Sequence, residues 1–386
     1  MKFRTAIIIL LGSLTLASAE PLQTSGPYLA QGKSKFLGSV YSSRDSYNED
    51  FEFYWNGMWQ GNSGKWGSVE GVRDYMNWGE FDQAYNFAKE HGVIYQMHVL
   101  LWGNQQPNWI YNLSDEEQLA EIREWFQAVA DRYPDMDYVQ VVNEPVNDPP
   151  DGTSGSDSGN YAKALGGTGE TGFDWIINAF RLAREIFPGT PLMINEYNVE
   201  GDWSKALQYV KIINKLKEEG LIDAVGIQGH AFSTAYYSVH ELTTNLDYIA
   251  STGLPIMVTE MEIDGLDDQV QLAEYQRVFP IYWEHPAVIG INLSGHRVGN
   301  WRTEYGAYIA NEDDSPRPAF IWLRHYVQSY EDWFNFDVTD NWAATNWLGG
   351  PLYVPYTPWI WSNQMGWVYV QADSENPQGA WTWIPR

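Results

Sequence analysis

Short runs of β-branched and other apolar residues alternate with longer amphipathic stretches along most of the chain. The runs Phe36–Val40, Tyr95–Leu100, Tyr138–Val142, Leu192–Asn195, Ala224–Ile227, Ile256–Thr259 and Val288–Leu293 predict buried strands, and a weaker signal at Asn56–Trp59 predicts one more. Between them a 3.6-residue period predicts helices over Trp78–His91, Asp115–Arg132, Phe173–Phe187 and Trp203–Glu219. Ser114, with Glu117 three residues on, opens the second as a capping box; Pro188-Gly189 and Gly220 stop the third and fourth. Near-continuous apolar strands separated by helices imply parallel pairing with both sheet faces covered. Eight such units in roughly 300 residues predict an α/β fold, a closed (β/α)8 TIM barrel, rather than an open doubly wound sheet. No Gly-x-Gly-x-x-Gly or Gly-x-x-x-x-Gly-Lys loop occurs, which removes the common nucleotide-binding alternatives. The Gly-, Asp-, Ser- and Pro-rich segment Asn147–Thr171 reads as a long loop bordering a cleft at the catalytic face.

The alternation breaks near Ser329–Glu331. Beyond it, Trp333, Trp342, Trp347, Trp359, Trp361, Trp367, Trp381 and Trp383 fall among turn residues such as Pro355, Pro358, Gly366 and Gly379. Residues 331–386 therefore read as a small β-rich module whose tryptophans either build its core or contact glycan or the cell envelope. At the other end, Lys2 and Arg4, the apolar stretch Ala6–Leu16 and Ala17-Ser18-Ala19 have the layout of a signal peptide. That apolar stretch is too short to span a membrane. The expected layout is a signal peptide over 1–19, a barrel over 20–330 and the module over 331–386, in a secreted or periplasmic protein.

Charge and composition narrow the partners. A formal net charge of −27 repels nucleic acid and anionic membranes. No cysteine is present and the 7 histidines are scattered, so neither a metal site nor a cofactor is predicted. The aromatic content is high, at 16% with 20 tryptophans, and aromatic faces are what proteins lay against the apolar C–H faces of sugar rings.

Two glutamates carry the candidate chemistry. Glu144 in Val-Val-Asn-Glu-Pro and Glu260 in Met-Val-Thr-Glu-Met-Glu each end a predicted strand, where a (β/α)8 barrel assembles its active site. Paired carboxylates serve glycoside hydrolysis: one protonated donor and one ionised nucleophile, about 5–5.5 Å apart in the retaining mechanism. Repulsion between them raises one pKa and sorts the roles. Asn143 is placed to bond the sugar 2-hydroxyl, and His230, in Gly-Ile-Gln-Gly-His, to orient the nucleophile.

Several segments together resemble glycoside hydrolase family 10, the retaining endo-β-1,4-xylanases, from about Lys35 to Tyr330. They are Gly64-Lys-Trp-Gly-Ser-Val-Glu-Gly71, His98-Val-Leu-Leu-Trp-Gly-Asn-Gln-Gln-Pro107, Val142-Asn-Glu-Pro145, Ile194-Asn-Glu-Tyr-Asn198 and Gly226-Ile-Gln-Gly-His230. The resemblance implies Glu144 as acid/base and Glu260 as nucleophile. It also implies sugar contacts at Asn62, Lys65, His98, Trp102, Gln105, Asn143, Gln228 and Trp301, with xylan or a related β-glycan as substrate. Two positions depart from the family pattern. Where the family reads Pro-Glu-Asn, this chain has Gln60-Gly61-Asn62, without the carboxylate that grips the sugar two places from the cut. Where the last strand usually ends Trp-Gly, it has Ser294-Gly295, which removes a stacking face and is expected to leave space beside the cleaved sugar. Three readings follow: a xylan-cutting enzyme, the same mechanism on a decorated or C6-bearing β-glycan, or a non-catalytic carbohydrate-binding barrel.

Overall fold

The computed structural model describes residues 28–42, 51–152 and 159–328, and from the C-terminal part residues 332–333, 336–339, 342–343, 350–354, 359–370 and 382–383. The signal-like segment and the boundary at 329–331 lie outside these residues. So do the middle of the 147–171 loop, Trp347 and Trp381.

Eight parallel strands close into a barrel in chain order: β1 (Phe36–Val40), β2 (Gly57–Trp59), β3 (Ile94–Met97), β4 (Tyr138–Asn143), β5 (Leu192–Glu196), β6 (Ala224–Ile227), β7 (Ile256–Met261) and β8 (Val288–Leu293), with β8 pairing back onto β1. Among the described residues the helices are α1 (Phe51–Tyr54), α2 (Trp66–Val69), α3 (Gly79–His91), α4 (Asp115–Arg132), α5 (Asp174–Ile186), α6 (Trp203–Glu218), α7 (Ala231–Thr234), α8 (Val239–Ala250), α9 (Asp268–Trp283) and α10 (Pro318–Gln328). The capping box at Ser114 forms as expected: its side chain accepts from the Glu117 amide while Glu117 accepts from the Ser114 amide. Caps of this kind contribute about 1 kcal/mol each. Gly92 ends α3 and Gly220 follows α6, both with left-handed backbone that glycine adopts without strain.

Period-2 alternation sorts the strand side chains. Leu37, Ile194, Val225, Val258 and Ile291 join the large core between barrel and helices. Their neighbours turn inward and form layers. At the amino-terminal end Phe36, Met193, Ala224 and Met257 pack together. Glycine is required opposite Phe36, because a Cβ on Gly290 would lie 2.3 Å from its ring. The next layer is polar and internally bonded, with Asn292 Nδ2 donating to Gln96 Oε1 at 2.9 Å and Thr259 Oγ1 to Asn195 Oδ1 at 2.7 Å. The barrel interior thus becomes progressively more polar toward the end where the strands finish.

Two expectations need correction. β3 stops at Met97 rather than Leu100, because the His98 carbonyl accepts from the Gln60 side chain (3.0 Å) instead of continuing the ladder. The described parts of the 147–171 loop stand behind the cleft wall rather than on it. Tyr161 there receives no cleft position but bonds the backbone of Trp102, which does line the cleft.

The C-terminal strands β9 (Asp332–Trp333), β10 (Phe336–Thr339), β11 (Trp342–Ala343), β12 (Leu352–Tyr353), β13 (Trp359–Ser362), β14 (Gly366–Val370) and β15 (Thr382–Trp383) form a separate antiparallel sheet in sequential order. Ala343, Leu352, Ile360 and Val368 are buried in it.

Candidate active site

A cleft of ≈ 750 Å³ opens where the barrel strands end, and Glu144 and Glu260 both line it. Glu144 follows β4 directly, with left-handed backbone at φ +54°. That conformation costs a non-glycine residue about 1–3 kcal/mol and persists where neighbours hold it. Here the Glu144 amide donates to the Asn195 carbonyl at 2.8 Å, and its carbonyl accepts from Asp148 at 2.9 Å. Its carboxylate accepts from Trp102 Nε1 (2.6 Å) and from Gln228 Nε2 (2.7 Å). Glu260 lies within β7 and accepts from Asn195 Nδ2 at 2.9 Å.

One amide chain connects the two acids. Asn195 Nδ2 donates to both Glu260 and Asn143 Oδ1 (2.8 Å), and Gln228 Nε2 donates to both Glu144 and the same Asn143 oxygen (3.3 Å). Since Asn143 Oδ1 accepts twice, its Nδ2 is fixed as a donor, and it is buried without a partner at the cleft. A hydroxyl presented there would satisfy it.

Electrostatics favour the protonated form of Glu144. Burial pushes the Glu144 carboxyl well above the usual carboxylate range; the nearby Glu196 charge, and then that of Glu260, add to this, against the Gln228 hydrogen bond. Glu144 is therefore the group suited to hold a proton near neutral pH. Glu196, fully buried at the end of β5, is itself raised to about 7 by burial, although Asn147 and the Val146 and Tyr197 amides donate to it.

Two histidines flank Glu260, and their pKa values move in opposite directions. His98 is lowered to about 4 by burial; its Nδ1 lies 2.7 Å from Gln140 Oε1, so it is neutral and its 3.8 Å approach to Glu260 is not an ion pair at neutral pH. For His230 burial also opposes charge, but Glu262, with Glu260 and Glu200, outweighs it and the net shift is upward. Its Nδ1 stands 2.6 Å from Glu262 Oε2 and its Nε2 3.9 Å from Glu260. Glu262 is held in turn by the Ala231 amide (3.0 Å) and Ser294 Oγ (2.6 Å).

The remaining expected residues line the same cleft: Asn62, Lys65, His98, Trp102, Gln105, Gln228 and Trp301. Burial lowers Lys65 to about 8 against the opposing pull of Glu260 and Glu144, which leaves it largely charged at neutral pH. Lys65 donates to Asn62 Oδ1 at 2.7 Å and sits 4.7 Å from the Trp102 ring centre. Trp301 is 54% exposed at the rim, edge-on to Phe232, with Arg302 beside both rings and paired with Asp264.

Sequence reasoning missed Asn195, Glu262 and Trp59. Trp59 lines the cleft near Ser294: its indole N–H donates to the Leu293 carbonyl at 3.2 Å, and its ring meets His98 edge-on at 5.2 Å. The cleft near Ser294 is thus lined by an indole contributed from β2. Gly61 has φ +59° and no side chain to offer the cleft. Outside the cleft Glu70, Asp74 and Glu121 bring carboxylate oxygens together, but Arg73 pairs with Glu121 and the Trp66 indole and Asp74 amide already donate to Glu70.

Residues 28–326 match the sequence profile of glycosyl hydrolase family 10. The endo-1,4-beta-xylanase B of Cellvibrio japonicus is 36% identical over 291 residues, 75% of this chain and 45% of that protein. The endo-1,4-beta-xylanase B of Thermotoga neapolitana is 28% identical over 74% of this chain and 84% of its own. The chain thus spans less than half of the first of these relatives. Native xylanase 10B from Thermotoga maritima superimposes with a TM-score of 0.67 at 25% identity, covering 78% of this chain and 97% of that one. Profile and fold agree: the chain belongs to glycosyl hydrolase family 10.

Proposed function

We propose that the protein is a retaining endo-β-1,4-glycosidase that hydrolyses xylan by double displacement, exported after cleavage near Ala19. The observation that carries this reading is the amide chain joining Glu144 and Glu260, with a raised pKa on Glu144. Glu260 attacks the anomeric carbon while Glu144 protonates the leaving oxygen; Glu144 then deprotonates the water that releases the glycosyl-enzyme. Asn143 Nδ2 donates to the sugar 2-hydroxyl, and His230, backed by Glu262, orients Glu260. The xylanase names of the relatives support xylan as the polymer. The test is digestion of linear xylan, glucuronoxylan and mixed-linkage glucan. Internal cleavage of linear xylan is expected, and release of nothing from any of them, or from activated aryl glycosides, would favour a non-catalytic binding barrel.

A second reading, a decorated or C6-bearing sugar at the cut, is favoured by the small Ser294 at the cleft. Faster cleavage of decorated polymer than of plain xylan supports it; equal or slower cleavage removes it.

Two further outcomes follow from the geometry. Trp59→Ala removes the indole bounding the cleft; at about 1.5–3 kcal/mol for a large apolar side chain, kcat/KM on xylo-oligosaccharides should fall about 10–100-fold. Unchanged kinetics would place Trp59 outside the sugar-contacting surface. Glu196→Gln removes a charge that raises Glu144. Glu144 works as an acid while protonated, so activity is lost as pH rises through its pKa. Lowering that pKa moves the alkaline limb of the kcat/KM profile to lower pH. A limb that stays in place or moves upward would show that Glu196 does not set it.

A further inference from the structure

The C-terminal sheet carries a row of aromatic residues that the barrel chemistry does not use. The strand register sets Trp342 opposite Tyr353, Tyr353 opposite Trp361, and Trp361 opposite Trp367, so four large rings fall in line across β11–β14. Alternation places the apolar neighbours Ala343, Leu352, Ile360 and Val368 on the opposite, buried face. The inner end of the row is tied to the barrel, where the Tyr353 hydroxyl is hydrogen-bonded with His325 Nε2 of α10 at 2.8 Å. The outer end is open: Trp361 is 36% and Trp367 42% exposed, with ring centres 5.5 Å apart at 72°. Exposed amides border it at Asn363 and Gln364 in the β13–β14 turn, and the Trp361 indole N–H points at the Asn363 oxygen, 3.4 Å away.

A core explains the buried face but not two neighbouring indoles that each stay more than a third exposed, since fully burying a large apolar side chain is worth about 1.5–3 kcal/mol. Charge selects the occupant. Residues 331–385 contain Glu331, Asp332, Asp337, Asp340, Asp373 and Glu375 and no lysine or arginine. A segment of that sign repels nucleic acid, anionic lipid and acidic polysaccharide. Indole faces with amide hydrogen-bonding groups and no cation suit a neutral polymer with apolar C–H faces and many hydroxyls. The cleft uses the same chemistry in Trp102, Trp301, Asn143 and Gln228.

We propose that Trp361 and Trp367, with Asn363 and Gln364, form a second binding site for an uncharged β-glycan chain, separate from the catalytic cleft. Held by this site on insoluble polymer, the barrel meets its substrate at raised effective concentration. The choice of β-glycan rests on the proposed activity; the site's existence is tested without turnover.

The test uses the full chain carrying Glu260→Ala, so that nothing is digested, with and without Trp361→Ala and Trp367→Ala, on insoluble xylan and on cellulose. Retention should weaken on the order of tenfold or more on at least one polymer when both indoles are removed. Trp361→Tyr with Trp367→Tyr should restore most of it. In the otherwise wild-type enzyme, the double alanine variant should keep its kcat/KM on soluble xylo-oligosaccharides, which also shows that the barrel still folds. Retention equal to that of the parent on both polymers overturns the proposal. So does retention abolished by moderate salt, which would mean ionic adsorption, or a monomerisation of the double variant without change in retention, which would assign the row to self-association. Failure of the proposed activity appears separately, as an inactive wild type that still binds.

Discussion

Glu260→Ala is expected to lower kcat on an aryl xylobioside by about 10⁵-fold, because removal of a covalent nucleophile deletes the step on which the others depend. The fold should survive, since Glu260 lies at the cleft and its partner Asn195 keeps bonds to Asn143 and Thr259. Azide supplied to this variant fits where the carboxylate was and attacks the same face of the sugar. The expected product is the glycosyl azide of inverted configuration, and its formation should restore a measurable rate. Residual activity within tenfold of wild type, or a rescued product of retained configuration, would assign nucleophilic attack to another residue.

Glu144→Ala separates the two steps by leaving-group chemistry. The acid contributes about 10²–10⁴-fold where the departing oxygen needs a proton, as in xylan. It contributes little where the leaving group departs unaided, as in a dinitrophenyl glycoside. Polymer hydrolysis should therefore collapse while glycosylation by the activated substrate persists, with the glycosyl-enzyme accumulating because no base activates water. Azide should then yield the product of retained configuration, opposite to the Glu260 variant. The alkaline limb of kcat/KM on the activated substrate should also vanish, as the group whose raised pKa sets it is gone. Equal losses on good and poor leaving groups would contradict an acid/base role for Glu144.

Much of the barrel was legible because its signals are local. The run Phe36–Val40, the capping box at Ser114 and the glycines after α3 and α6 each specify an element with little help from the rest of the chain. β2 was faint because it is only Gly57-Met58-Trp59, and its glycine is required by the Phe36 ring, which a Cβ would approach to 2.5 Å. α8 carries the same capping signal at Ser238 and Glu241 and was readable but unread. α9 was obscured by Pro280 within it and by the apolar residues Val270 and Ile281 outside its buried face.

At the site, Glu144 and Glu260 stood out because strand-ending acids beside Asn143 form a recognisable motif. Asn195, inside β5, and Glu262, just after β7, did not, because a buried polar residue announces a partner without saying which one. The partners are far away in sequence: Asn195 reaches Glu260 across 65 positions. Trp59 was hidden for the same reason, since its contact with the Leu293 carbonyl exists only once β8 closes against β1. Ser294 alone suggested a void, and only the closed barrel brings an indole to the cleft near it.

The central claim is that Glu260 forms a covalent bond to the sugar. A 2-deoxy-2-fluoro xylobioside with a dinitrophenyl leaving group tests it most directly. The fluorine slows both displacements, and the leaving group rescues only the first, so the glycosyl-enzyme should accumulate. Intact-protein mass spectrometry should show one added 2-fluoroxylobiosyl unit, and peptide mapping should place it on Glu260, with no adduct in Glu260→Ala. An adduct on a different carboxylate, or hydrolysis of natural substrate with no adduct at any time, would contradict the account.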